Sequence, residues 1–228
     1  MHAPVHRAVI FDVEGTLIDC VPQNLESWQS TLADFHLTFP LDVLQLYAGM
    51  DGDEMLQILA PEMDHRARRA ATQREGAYFK KHFLHHVKAF TGVRDLFMAL
   101  KGQGYHIGLA TDCSSDELSH YRRLLDVDDV VDVVACGDDV DEGKPSRALT
   151  ALAIEKLETK FGTRAAHAIM VGDTPYDAEA ATSAGITAIG LLTGGFARSA
   201  LIEAGCHDVA PDLSAIRHLL IDQPAVAS

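Results

Sequence analysis

The chain has 228 residues, 47% hydrophobic and 23% charged, with 17 Gly and 8 Pro; this is globular usage, and it excludes collagen-like and largely disordered classes. Acidic residues number 33 against 19 Lys and Arg, a formal charge of −14, which argues against nucleic acid and anionic membranes as partners. Cys20, Cys113, Cys136 and Cys206 form no CxxC pair, so neither a zinc site nor a disulfide framework is expected, and a reducing cytoplasm is the simplest compartment.

The first apolar run, Ala8 to Phe11, is too short for a signal peptide or a membrane span. Its β-branched and aromatic residues, closed by Asp12 and Gly15, predict a buried strand that empties into a turn. Residues 22 to 87 show no strand-like alternation. Leu25, Trp28, Leu32 and Phe35 recur at helical spacing, and Pro40, Gly49, Gly52 and Pro61 break the stretch into three or four helices. Hinges are expected near residues 18 to 21 and 87 to 91. Short apolar runs then return at His106 to Ala110, Val130 to Ala135, Ala168 to Val171 and Thr187 to Leu192. Helical patterns such as Ser115 to Leu125 and Pro145 to Glu158 separate them. Strand and helix in alternation predict an α/β parallel sheet with helices on both faces.

Asp12, Thr111 and Asp173 each end a predicted strand, and Lys144 lies in the loop after another. In such a sheet the carboxyl ends of the strands form the ligand crevice, so these four are expected to converge. Two acids, a hydroxyl and a lysine suit a hard divalent cation beside a phosphoryl group. Thr174, Pro175 and Asp177 read as the N-cap, first position and first turn of a helix, which would hold Asp177 near Asp173. Two neighbouring acids there call for a cation.

The stretch Asp12-Val13-Glu14-Gly15-Thr16-Leu17-Ile18-Asp19 resembles the first motif, DxDGTL, of the haloacid dehalogenase superfamily. Ala110-Thr111-Asp112 is similar to the second motif, Gly143-Lys144-Pro145 to the third, and Gly172-Asp173-Thr174-Pro175-Tyr176-Asp177 to the fourth. The resemblance runs from about residue 7 to 212 and includes the phosphoglycolate phosphatase and β-phosphoglucomutase branch. It implies a Rossmann-like core, residues 1–20 and 89–228, with an inserted all-helical cap, residues 21–88.

It also implies a Mg²⁺-dependent phosphatase of a small phosphorylated metabolite, cytoplasmic, and a monomer or homodimer. Asp12 would be the nucleophile that becomes an aspartyl-phosphate. The Asp12 side chain, the Glu14 backbone carbonyl and Asp173 would hold the metal, and Asp177 would bind or support it. Thr111, the Asp112 backbone N–H and Lys144 would bind the phosphoryl group.

Position 14 departs from the family, whose phosphatases carry an aspartate there as general acid and base. Glutamate has nearly the same proton affinity, but one added methylene displaces the carboxyl by about 1 Å, enough to cost about a hundredfold in rate. Two rival functions follow, a phosphomutase of sugar phosphates and a low-turnover protein that binds phosphorylated ligands. A dehalogenase is disfavoured, since it would call for an aromatic residue at position 14, and no cap lysine can be assigned to phosphonate cleavage.

Elsewhere the bland reading is preferred. His82, His85 and His86 read as a solvated helix face, Arg66, Arg68 and Arg69 as charged surface, and Trp28 as core of the helical insertion. Gly49 to Gly52 fits equally a helix break and a loop facing the crevice. Lys101 to Gly104 precedes a strand and so is no dinucleotide fingerprint.

Overall fold

The computed structural model describes residues 7–222; the terminal parts of the expected core, 1–6 and 223–228, lie outside the described residues. In chain order the elements are β1 (Arg7–Phe11), β2 (Ile18–Asp19), α1 (Val21–Asp34), α2 (Leu41–Gln45), α3 (Gly52–Leu59), α4 (His65–His82), β3 (Lys88–Ala89) and α5 (Val93–Gly102). These are followed by β4 (Tyr105–Ala110), α6 (Ser115–Leu125), β5 (Val133–Ala135), α7 (Ala148–Phe161), β6 (Ala168–Gly172) and α8 (Pro175–Ser183). The chain then forms β7 (Thr187–Leu191), α9 (Arg198–Glu203), β8 (Cys206–Ala210) and α10 (Leu213–Arg217).

Six strands form one parallel sheet in the order β5-β4-β1-β6-β7-β8. The period-2 alternation of β1 sorts its residues between two cores. Val9 and Phe11 pack with Phe97, Leu100 and Ile216 on the face covered by α5 and α10. Ala8 and Ile10 pack with Leu149, Ala153 and Ala178 under α7 and α8. The chain leaves β1 toward β4 on one side and later toward β6 on the other, so the topological switch point, and with it the expected crevice, lies at the end of β1.

Between the two halves of the first sheet excursion, β2 pairs antiparallel with β3, Ile18 with Ala89 and Asp19 with Lys88. This ribbon occupies the two stretches expected as hinges. Helices α1 to α4 lie between its strands and share a separate apolar cluster of Leu32, Leu44, Met55, Leu56 and Ala71, with Leu25 and Trp28 against it. Among the described residues no helix is long and apolar enough to cross a membrane.

Three sequence expectations need correction. The helix expected from Pro145 begins at Ala148, because Gly143 to Ser146 close a turn, with the Ser146 N–H donating to the Gly143 carbonyl at 2.9 Å. The run from Val130 yields a strand only from Val133, since Val130 and Val131 donate instead to Val127 in a local turn. Strand β8 was not anticipated; His207 and Asp208 interrupt its apolar pattern at the sheet edge, where one side of the strand has no partner strand among the described residues.

Candidate active site

The Asp12 N–H donates to the Val171 carbonyl at 2.9 Å, which extends the β1–β6 ladder by one residue and sets the side chain at the strand mouth. Asp12, Thr111, Lys144, Asp173 and Asp177 are all buried and line a single cavity of about 540 Å³ between the sheet and helices α1, α3 and α4. The four expected strand-end groups therefore meet, with Asp177 beside them. One ligand oxygen from each of Asp12, Asp173 and Asp177 lies within 4.8 Å of the others.

The Lys144 ammonium contacts Asp12 Oδ1 and stands 2.8 Å from Asp177 Oδ1 and 3.7 Å from Asp112 Oδ2. Its own backbone N–H donates to Asp112 Oδ1 at 3.0 Å. The Asp112 side chain thus has a structural use, fastening the lysine loop. Gly143 makes this approach possible, since a Cβ there would stand 2.2 Å from Asp112 Oδ1. Asp173 Oδ1 accepts from the Thr16 hydroxyl at 2.7 Å. Gly15, at φ +84°, lies so near Asp173 that a Cβ would come within 2.2 Å of its carboxylate, so both its backbone and its neighbour demand glycine.

Helix α8 starts as the sequence predicts. Thr174 caps it through the Asp177 N–H, Asp177 Oδ2 accepts in return from Thr174, and Pro175 is the first helical residue. The capping box explains why Asp177 holds still at the cavity. Thr111 donates its backbone N–H to Ala135 at 3.1 Å, continuing the β4–β5 ladder.

Charge is scarce on the positive side. Burial pushes the Asp12 carboxyl up to about 7 against the pull of Lys144, and burial with Asp12 and Asp177 nearby raises Asp173 well above the ordinary range. Burial raises Asp112 to about 6, again opposed by Lys144. For Lys144, burial works against the charge, but Asp12, Asp177 and Asp112 outweigh it and raise the pKa. Three buried hard-oxygen donors around one ammonium match what a divalent cation such as Mg²⁺ requires. The donor set fits that ion.

The Glu14 carboxyl is turned to a different neighbourhood. Its Oε1 accepts from the buried Tyr121 hydroxyl at 2.8 Å. Burial, then the nearby Glu117, raises it to about 8, partly offset by the Tyr121 bond. Its backbone turn is closed by the Gly15 N–H on the Ile18 carbonyl at 2.8 Å.

A family model described as haloacid dehalogenase-like hydrolase matches residues 9–191. The chain belongs to that family. A phosphorylated carbohydrates phosphatase of Thermotoga maritima is 28% identical over 201 residues, 87% of this chain and 91% of that protein. A phosphoglycolate phosphatase of Rhodospirillum rubrum is 27% identical over 224 residues, 92% and 89% of the two chains. The crystal structure of a hydrolase from Pseudomonas syringae superposes with TM-score 0.86 at 26% identity, covering 98% of this chain and all of the other. A candidate β-phosphoglucomutase of Bacteroides vulgatus, at 20% identity, covers 93% of this chain and 86% of its own with TM-score 0.82 and shares the fold.

This haloacid dehalogenase-like hydrolase also uses residues that the sequence reading did not single out. Thr16 lies inside the first motif yet was not given its bond to Asp173. Tyr121, Glu117 and Glu75 come from α6 and α4. Ser114-x-x-Glu117 is a legible capping box, and Tyr121 follows Glu117 by one helical turn, which puts both on one face of α6, with Glu117 lining the cavity and Tyr121 reaching Glu14.

The remaining candidates fall elsewhere. Arg68 is paired with Asp53 at 3.1 Å, and Arg66 and Arg69 are exposed outside the cavity lining. His85 stacks edge-on against His120. Trp28 both borders the apolar cluster of the helical segment and lines the cavity. The Gly49 to Gly52 loop also does two things: Asp51 caps α3, and its N–H donates to the Lys144 carbonyl at 2.8 Å. Gln45 donates to the Gly194 carbonyl at 2.8 Å, and the Tyr176 hydroxyl donates to the Leu46 carbonyl, so three bonds close the helical segment onto the sheet around the cavity.

Proposed function

We propose that this hydrolase is a Mg²⁺-dependent phosphatase of a small phosphorylated metabolite, working through an aspartyl-phosphate on Asp12. The observation that carries the reading is the meeting of Asp12, Asp173 and Asp177 with Lys144 and Thr111 in one buried mouth of the sheet. The relatives named as phosphatases supply the reaction class. In this reading residues 1–20 and 89–228 are the core, residues 21–88 form the cap, and the enzyme works in the cytoplasm.

The chain's own groups can be assigned in order. Thr111, the Asp112 backbone N–H and Lys144 hold the phosphoryl oxygens. An Asp12 oxygen attacks phosphorus while the bond to the ester oxygen breaks, and a protonated Glu14 gives its proton to the departing alkoxide. Water then attacks the phosphoryl group, returning a proton to Glu14 and freeing inorganic phosphate and Asp12. A carboxyl raised to about 8 is protonated at neutral pH and so suits the first of these steps. Asp12, Asp173 and the Glu14 backbone carbonyl are the proposed Mg²⁺ ligands, with Asp177 binding or supporting. When bound, the ion supplies positive charge where the phosphoryl group gains negative charge. Closure of helices α1 to α4 over the cavity keeps bulk water from competing.

The test is phosphate release from a panel of phosphomonoesters with Mg²⁺ and with EDTA. The reading expects turnover in the first and its loss in the second. Isomerised sugar phosphate without net phosphate release would instead identify a mutase. Metal-dependent ligand binding without repeated turnover would identify a binding protein, the alternative that the Tyr121 hold on Glu14 favours.

A further inference from the structure

We infer that the phosphate is the substrate's only anionic group, and that the alcohol it esterifies is neutral or carries an ammonium. The inference rests on the phosphatase reading above and narrows it to a substrate class.

The cavity is lined by nine carboxylate side chains and two lysines among the described residues, with no arginine or histidine. Lys144 is already engaged by Asp12, Asp177 and Asp112. That leaves Lys80, which stands 4.0 Å from Glu117 and is part-exposed. The four arginines of α4 bring no help, for Arg68 is bound to Asp53, Arg74 to Asp34, and Arg66 and Arg69 face solvent. Beyond the phosphoryl end, Glu14, Glu75 and Glu117 line the same cavity. Burial raises Glu75 to about 7 and Glu117 adds to the rise, so the cavity already resists its own negative charge.

A divalent cation and a phosphate dianion cancel one another and leave that surplus in place. A second anion on the leaving group would enter a low-dielectric space crowded with acids, with one half-engaged lysine to meet it. A hydroxyl can instead donate to a carboxylate, and an ammonium gains from each ionised one. The opposite wall, with Leu25, Trp28, Leu44, Met50, Met55 and Phe79, accommodates a carbon skeleton without adding charge. The phosphoglycolate phosphatases are relatives of this chain, yet phosphoglycolate, with its carboxylate one methylene from the phosphate ester oxygen, is the type of substrate this lining disfavours.

Two size-matched sets test the inference: phosphoglycolate, 2-hydroxyethyl phosphate and 2-aminoethyl phosphate, and 6-phosphogluconate, glucose 6-phosphate and glucosamine 6-phosphate. Each ester is assayed with Mg²⁺ for kcat/KM, and its binding is measured by calorimetry. Within each set the carboxylate-bearing ester is expected to be at least tenfold poorer than its hydroxyl counterpart, and the Glu75→Gln variant to narrow that gap. Carboxylate esters that equal or exceed their neutral counterparts in both sets would overturn the inference. Failure of every ester to release phosphate would refute the phosphatase reading instead, and the order of binding would still decide the question of charge.

Discussion

One cavity contains two groups of acids that solve their crowding differently. At the sheet mouth Asp12, Asp112 and Asp177 surround a buried lysine, and Asp173 receives a hydroxyl from Thr16. Beside the helical segment Glu14, Glu75 and Glu117 have a tyrosine hydroxyl, a serine and a distant, part-exposed lysine. In the proposed reading the first group is completed by a cation and a phosphate, whereas in the second burial raises Glu14 and Glu75 with no cation beside them. Burial is common to both, so the difference between them lies in where positive charge is placed.

Breaking the first group should have the largest effect. Asp12→Asn is expected to lower phosphate release by about a thousandfold or more, as loss of a nucleophile does, while circular dichroism and Tm show an intact fold. Removal of the ammonium comes next. Lys144→Ala leaves Asp12 and Asp177 facing each other, and a loss of about 3–5 kcal/mol of stability is expected for one partner of a buried ion cluster. Chemical denaturation measures it, and the deficit should shrink toward pH 5, where Asp12, already raised to about 7 beside the lysine, takes up a proton.

The second group is probed by smaller changes. Glu14→Asp restores the shorter acid and removes the reach to Tyr121; kcat is expected to rise by about tenfold, within the roughly hundredfold penalty of a 1 Å misplacement. An unchanged or lower kcat would mean that Glu14 works from the position Tyr121 gives it. The pH profile of stability probes the second group without touching the chemistry. The Glu75 carboxyl, raised from 4.5 to about 7, binds its proton more tightly folded than unfolded. Its contribution is full below pH 4.5 and lost as pH rises through about 7. Glu75→Gln should therefore flatten the decline in stability between those values, by at most about 3 kcal/mol, measured by denaturant titration at each pH without metal.

The same contrast governs what the sequence made legible. The sheet-mouth group is written at strand ends, where an apolar run stops at an acid or a hydroxyl, and parallel topology alone brings such positions together. The Thr174 to Asp177 cap was legible for a similar reason, since its bonds are local. The glutamate group depends on how α4, α6 and the turn after β1 come together around the cavity, a matter of tertiary packing with no sequence period to announce it, so Glu75 and Tyr121 read only as helix residues. Strand β8 escaped notice because its polar centre hides the alternation. Pro145 misled because proline suits a turn as well as a helix start.

The central claim is that Asp12 carries the phosphoryl group during turnover. Acid quenching of the enzyme in mid-reaction with a good phosphomonoester and Mg²⁺, followed by peptide mapping by mass spectrometry, tests it directly. The account predicts one added phosphoryl mass on the peptide containing Asp12, absent in Asp12→Asn and after EDTA. Phosphate release with no modification at Asp12, or with the phosphoryl group on another residue, would contradict it.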